Sequence, residues 1–169
     1  MSGLSSDLRE LREQLAKGSI QRAYPAIVGY MSRLRAHFAG TQGERAVSGL
    51  YQGYFDMTYF ALFPPTLKSR DLKLAIVFDY EAFGFEVWLA ARNRKVQRQY
   101  WGLFRDGGWS EYLLVEPAPG IDAIVEHDVA SGFELDDPEA LTASIELAVE
   151  TFLGDLERFL EAHDPGHAV

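Results

Sequence analysis

Two carboxylates, Asp56 and Glu86, have the surroundings in this sequence that point most directly to chemistry. Asp56 lies in the aromatic run YQGYFDMTYF at 51–60, and Glu86 lies in FGFEVWL at 83–89. Both runs are expected to be largely buried. A buried carboxylate costs free energy unless it is paired, hydrogen-bonded or bound to a ligand. The two acids are therefore the first candidates for a functional site.

Strand alternation leaves two roles open for these acids. Asp56 shares a strand face with Tyr54 and Thr58, and Glu86 shares a face with Trp88. If the strand register brings the acids together, their oxygens could hold a divalent metal ion. The alternative is that each acid pairs with an arginine or tyrosine, or faces water.

Aromatic and basic residues near the acids could complete a binding pocket. Tyrosine combines apolar area with one polar group, which suits pockets, although core packing uses the same residues. Arginines at the start of a predicted basic helix would stand at the rim, or form a solvated helix face. The candidate ligand-binding set is Tyr51, Tyr54, Asp56, Tyr59, Glu86, Trp88, Arg92, Arg94 and Trp101.

Composition limits the classes of function. The 169 residues are 47% hydrophobic and 13% aromatic, as expected for one folded domain, with a core over about 18–160 and a flexible tail at 163–169. The net charge of −9 argues against nucleic acid and anionic membranes as partners. The absence of cysteine excludes disulfides, thiolate zinc sites and cysteine nucleophiles.

Other sequence features bear on location and cofactors. The polar, helix-like N-terminus does not resemble a secretory signal, and the apolar runs are too short to span a bilayer, so a cytoplasmic protein is expected. No phosphate loop or dinucleotide glycine fingerprint is present, and no cofactor is expected.

Helices are predicted at the start, middle and end of the chain. Leucines three and four apart indicate a first helix ending at Gly18, and a second follows Ser19, with Pro25 either kinking it or preceding a start near Tyr24. A third helix is predicted at 92–104. Asp137 and Pro138 begin a long C-terminal helix.

The middle of the chain is typical of an antiparallel sheet. Strands are predicted at about 46–52, 54–63, 72–80, 83–91 and 111–115, with a hairpin turn at 81–84. Ile121, Ile124 and Val125 favour a short helix within 120–135. The fold class is α+β: an antiparallel meander of four to five strands, with N-terminal helices, a helix after the fourth strand and a long C-terminal helix packed on it.

Two resemblances can be drawn from these residues. The order of helix, strands, helix and strand, with acids on two strands, resembles the restriction-endonuclease-like nucleases, which have a lysine two residues after the second acid. Here that position is Trp88, which cannot stabilise a developing negative charge as an ammonium does.

The amino-acid sequence of several runs resembles that of a family of small single-domain prokaryotic proteins of unknown function, over about residues 18–160. The runs are IQRAY at 20–24, YQGYFDMTYF at 51–60, FEVWLA at 85–90, and VQ and YW at 96–97 and 100–101. This resemblance implies a complete small protein and no particular activity.

The sequence therefore predicts a non-enzymatic cytoplasmic binding domain, with an aromatic-lined pocket or groove on the sheet for a small molecule or a protein. One alternative is a divalent-metal phosphodiesterase with a degenerate, nuclease-like site, in which Asp56 and Glu86 are the ligands. The other is an interaction protein that forms a homodimer through the last helix or an edge strand.

Overall fold

A computed structural model describes residues 3–41, 43, 45–130 and 132–167. The helices are α1 (Leu4–Ala16), α2 (Ser19–Thr41), α3 (Pro65–Lys68), α4 (Arg94–Asp106) and α5 (Pro138–His163), with a 3₁₀ turn at Pro165–His167. The strands are β1 (Ala46–Val47), β2 (Tyr51–Gln52), β3 (Met57–Phe63), β4 (Leu72–Asp79), β5 (Gly84–Ala91), β6 (Leu113–Leu114) and β7 (Ala123–Ala130). In the described part of the chain, no helix has the length and apolar character needed to cross a membrane.

All strand pairs in the sheet are antiparallel, and the order is β1-β3-β4-β5-β7-β6, with β2 also pairing with β3. The predicted α+β class with an antiparallel sheet is confirmed. The strand count is larger than the four to five predicted, since the described chain contributes seven. Three of these strands have two residues each, which is too short for an alternation signal.

One face of the sheet carries the large apolar side chains and the helices α2, α4 and α5. Alternation places every second residue of the central strands on this face, and the large apolar ones are all buried: Phe60, Leu62, Leu72, Leu74, Ile76, Phe78, Phe85, Val87 and Leu89. Helix α2 packs there through Tyr30 against Phe85 and Phe38 against Phe60, with ring centroids 5.4 and 6.0 Å apart. We call this the helical face and the opposite side the open face.

The strand predicted at 54–63 starts three residues later than expected. Residues 53–56 form a turn in which the Gly53 N–H donates to the Met57 carbonyl at 2.9 Å and Phe55 has a φ of 60°. A Cβ on residue 53 would lie 2.8 Å from the Met57 carbonyl oxygen, which belongs to the backbone, and would also overlap the Asp56 carboxylate, so glycine is favoured there. The strand predicted at 46–52 is interrupted at 48–50, so that it forms the two short strands β1 and β2.

The short helix favoured at 120–135 is wrong, since this segment contains β7. Ala123, Ile124 and Val125 are all buried, and the register between β5 and β7 shifts next to them. A strand buried on both sides reads as a continuous apolar run, which periodicity alone does not separate from a helix. Pro25 lies within the continuous helix α2, which excludes a start near Tyr24.

The end of the chain is attached to the core through Arg70, whose side chain is only 4% exposed. Arg70 Nε donates to Asp164 Oδ2 at 3.2 Å, and Arg70 Nη2 donates to the Asp164 carbonyl at 2.9 Å. The Tyr100 hydroxyl donates to the same carboxylate at 2.8 Å. The segment predicted as a tail from His163 is therefore held at Asp164.

Replacement of Asp164 tests this attachment. Asp164→Ala leaves the buried Arg70 guanidinium without its carboxylate, so we expect a loss of about 2–3 kcal/mol in the free energy of unfolding, measured by urea denaturation. Glu161→Ala, at an exposed site on α5, is the control and should change it by less than about 0.5 kcal/mol. Equal losses in the two variants would contradict the attachment.

Candidate functional site

The candidate site is on the open face, where no described helix covers the sheet. Strand pairing places in one row Tyr59, Val77, Glu86 and Asp128, and in the next row Ala61, Ala75, Trp88 and Glu126. Lys73 is opposite Ala90 in the row beyond. The side chains of this face therefore come from four adjacent strands.

A shallow groove runs between two aromatic side chains on this face. Ala75 and Ala90 form its floor, and Tyr59 and Trp88 line it from β3 and β5. Small residues between large ones leave a cavity of about 200 Å³, which also reaches Asp122 and Arg92. We call this the open-face groove. Its volume is below the range of about 300–1,000 Å³ for pockets that enclose a drug-sized ligand, so it fits part of a ligand.

Glu86 is fixed beside the groove by Trp88. Residues two apart on a strand share a face, and the Trp88 indole N–H donates to Glu86 Oε2 at 2.6 Å. Burial raises the pKa of Glu86, the bond from Trp88 lowers it, and the charges of Asp79, Glu126 and Asp128 raise it again. The net effect is a raised pKa, so the ionised carboxylate is disfavoured in its present surroundings.

Charge is unevenly distributed over the open face. At one end lie four carboxylates, those of Asp79, Glu86, Glu126 and Asp128, which we call the acidic end. Burial raises the pKa of Glu126, and the charges of Asp128 and Asp79 raise it further. Among the described residues, none of the four carboxylates has a salt-bridge partner.

The opposite end of the groove is basic. Lys73 and Arg92 line it, together with Asp122. Arg92 is 3.5 Å from Asp71, and Arg94 Nη2 is 3.2 Å from Asp122. We call Lys73, Arg92 and Arg94 the basic end. Arg92 thus lines the groove, whereas Arg94 is connected to it only through Asp122.

The structure brings together most of the predicted site residues. Tyr59, Glu86, Trp88 and Arg92 lie on or beside the groove, and the Tyr51 ring packs against Tyr59 with centroids 5.0 Å apart. These positions follow from the register, which alternation alone did not provide.

Three predicted residues lie elsewhere. Tyr54 is 98% exposed in the turn before β3, and Trp101 lies on α4, where the Arg105 guanidinium is 4.6 Å from its ring centroid. Asp56 is in the same turn as Tyr54, and its carbonyl accepts from the Tyr80 N–H at 3.0 Å. None of the three lines the groove.

Asp56 and Glu86 are too far apart to hold one metal ion. Two strand spacings, about 10 Å, separate β3 from β5. Asp56 lies in the turn before β3, three residues from Tyr59 in the row of Glu86, which adds about 10 Å along the strand direction. Ligand oxygens must lie about 2.3–2.6 Å from a bound calcium ion, and closer still to magnesium. Within residues 3–41, 43, 45–130 and 132–167, no three His, Asp or Glu side chains are arranged to hold a metal ion.

Several groove residues were not among the sequence candidates. Lys73 and Ala75 alternate with the apolar residues of β4, so the alternation already placed them away from the core. Glu126 and Asp128 flank His127, whose ring lies on the helical face 4.6 Å from Tyr112. Once 123–130 is known to be a strand, the same alternation assigns the two acids to the open face.

Residues 4–160 match a protein family described as a domain of unknown function, DUF7000. The chain belongs to this family. The match confirms the resemblance to an uncharacterised single-domain family, and it begins at the first residue of α1. No curated protein and no solved structure was found to match the chain. Membership of DUF7000 therefore assigns no activity to the groove.

The raised pKa of Glu86 gives the open face a pH dependence. A carboxyl whose pKa is higher in the folded than in the unfolded state makes the free energy of unfolding fall as the pH rises through that window. We expect Glu86→Gln, which keeps an acceptor for Trp88, to raise the free energy of unfolding at pH 7. This advantage should shrink as the pH falls through the raised pKa toward the ordinary value of 4.5.

Urea denaturation of both proteins across this range measures the effect. Glu81→Gln, at an exposed position in the β4–β5 turn, controls for the change in net charge. A difference between Glu86→Gln and the wild type that does not vary with pH would contradict the assignment.

Proposed function

We propose that the chain is a non-enzymatic binding domain whose ligand occupies the open-face groove and presents a cationic group to the acidic end. The observation that carries this proposal is the pairing of a groove between Tyr59 and Trp88 with a carboxylate, Glu86, fixed beside it. An alanine floor between two rings gives a flat apolar group a place to stack.

The acidic end favours a cation for two reasons. Burial first, and then repulsion from the neighbouring carboxylates, raise the pKa of Glu86 and Glu126, and a bound cation would offset that repulsion. The faces of Trp88 and Tyr59 also attract an ammonium or guanidinium group at the edge of the groove. The net charge of −9 adds a long-range attraction for cationic ligands.

The basic end supplies a second contact. Lys73 has no salt-bridge partner in the described part of the chain, and it lines the groove with Arg92. These two side chains can hold a hydroxyl or an anionic group at the other end of a ligand. The ligand class is therefore a small amphipathic amine, and a lysine or arginine side chain of a protein partner offers the same chemistry.

The proposed location and the proposed lack of enzymatic activity are those predicted from the sequence. We place this binding domain in the cytoplasm and assign it no catalytic step. The separation of Asp56 from Glu86 removes the geometric support for the phosphodiesterase alternative.

Tyramine, which joins a phenol ring to an amine, tests the proposal. The protein has three tryptophans, Trp88, Trp101 and Trp109, so its ¹H–¹⁵N spectrum should show three indole N–H signals. We expect tyramine to shift the Trp88 signal, assigned with Trp88→Phe, more than the other two. Glu86→Gln should weaken binding about tenfold or more, because a charge-assisted contact is lost.

The matched probe is 4-ethylphenol, which has the ring and two-carbon chain of tyramine without the amine. It should shift the Trp88 signal less than tyramine does. Comparison of tyramine with a lysine-containing peptide tests whether the amine belongs to a small molecule or to a protein partner. If neither amine shifts the Trp88 signal, or 4-ethylphenol binds as well as tyramine, the proposal is wrong.

A further inference from the structure

Helix α1 presents an uncovered stripe of leucines. Leu4, Leu8, Leu11 and Leu15 have exposed fractions that fall from 74% to 37% along the helix, and α1 buries none of its residues. Scattered exposed leucines are ordinary, whereas four in line on one helix face form a patch that calls for a partner.

The rest of the described chain does not provide that partner. Helix α1 is joined to α2 through Lys17 and Gly18, and the buried apolar residues of α2, α4 and α5 belong to the core at the sheet. A helix of 13 residues is marginal in water unless an apolar face is packed. The match to DUF7000 begins at Leu4, so α1 is part of the domain that the family shares.

We propose that this stripe binds the same stripe of a second copy of the chain, as a short parallel coiled coil. The leucines are spaced by four, three and four residues, which is the heptad spacing of a two-stranded seam. Leu8 and Leu15 take position a, and Leu4 and Leu11 take position d. The 3.5-residue repeat keeps all four against the second helix.

The charged residues beside the leucines favour a second copy of α1 as the partner, in the parallel orientation. Asp7 takes position g and Arg12 takes position e of the following heptad, which is the pair that meets between parallel helices. The symmetric dimer therefore has two Asp7–Arg12 pairs, one on each side of the seam. Neither residue has a salt-bridge partner among those the structure describes.

An antiparallel arrangement lacks these pairs. Position g then faces g and position e faces e, so Asp7 would lie near Gln14 and Arg12 near Ser5. Both contacts join a charged residue to a neutral one. The parallel arrangement is thus the one that satisfies both the leucines and the charges.

Sedimentation equilibrium of the full chain tests the dimer. We expect the wild type to associate as the concentration rises toward about 100 µM, since mass action governs a short interface. Leu8→Lys should weaken association by more than about tenfold, because it buries an unpaired ammonium in the seam. Leu147→Lys is the matched control, at a 70% exposed leucine on α5, and should leave association unchanged.

Charge reversal tests the direction. Asp7→Arg alone and Arg12→Asp alone each place like charges opposite one another in a parallel homodimer, so each should associate more weakly than the wild type. Mixing the two variants restores both opposite-charge pairs and should restore association. In an antiparallel dimer the mixture would associate no better than its components.

A cross-link gives an independent readout, because the chain has no native cysteine. Leu11→Cys should form a disulfide-linked dimer under mild oxidation, since equivalent d positions meet in the parallel seam. Leu147→Cys should not. A wild type that stays monomeric at about 100 µM, or a dimer lost with Leu147→Lys rather than Leu8→Lys, would overturn the proposal. The tyramine response of Trp88 should persist in Leu8→Lys, so this proposal and the binding proposal fail separately.

Discussion

The central strands β3, β4 and β5 each offer one strongly apolar face, and the rest of the structure depends on that constraint. In β4, four large apolar residues alternate with Lys73, Ala75, Val77 and Asp79, and β3 and β5 match this pattern across the register. Side chains on the apolar side must leave water, which draws α2, α4 and α5 to a single layer. The other side of the sheet is left for a different use.

The open face exists because helices cover the sheet on one side only. The small side chains of Ala75 and Ala90 leave a depression at the centre of the open face, and the larger side chains of Tyr59 and Trp88 line it. Two of the carboxylates gathered at one end, Glu86 and Glu126, cost stability, since burial and the neighbouring carboxylates disfavour their charged forms. Carboxylates with raised pKa values that lie beside a groove, with no compensating cation in the described chain, are typical of sites that bind a ligand.

Helix α1 lies outside this one-sided arrangement and obeys a different physical rule. Its leucines repeat at 3.5 residues and its charges flank them, so the helix carries its own interface without contributing to the core. The open face and α1 are thus two places where the fold leaves favourable contacts unmade. One suits a small cation, and the other suits a second helix.

The sequence by itself determined the elements whose signals are local. Alternation over 72–80 and 83–91 predicted the β4–β5 hairpin, Asp137 and Pro138 predicted the start of α5, and the aromatic runs led to Glu86, Trp88 and Tyr59. Each depends on a cap, a turn or a period within a few residues. Only the tertiary structure decided the strand register and the grouping of the site residues, because both depend on pairing between distant segments. Register placed Asp56 away from Glu86 and joined Glu126 and Asp128 to it. Pairing with β5 and β6 made 123–130 a strand, whose buried start at Ala123–Val125 periodicity could not separate from a helix.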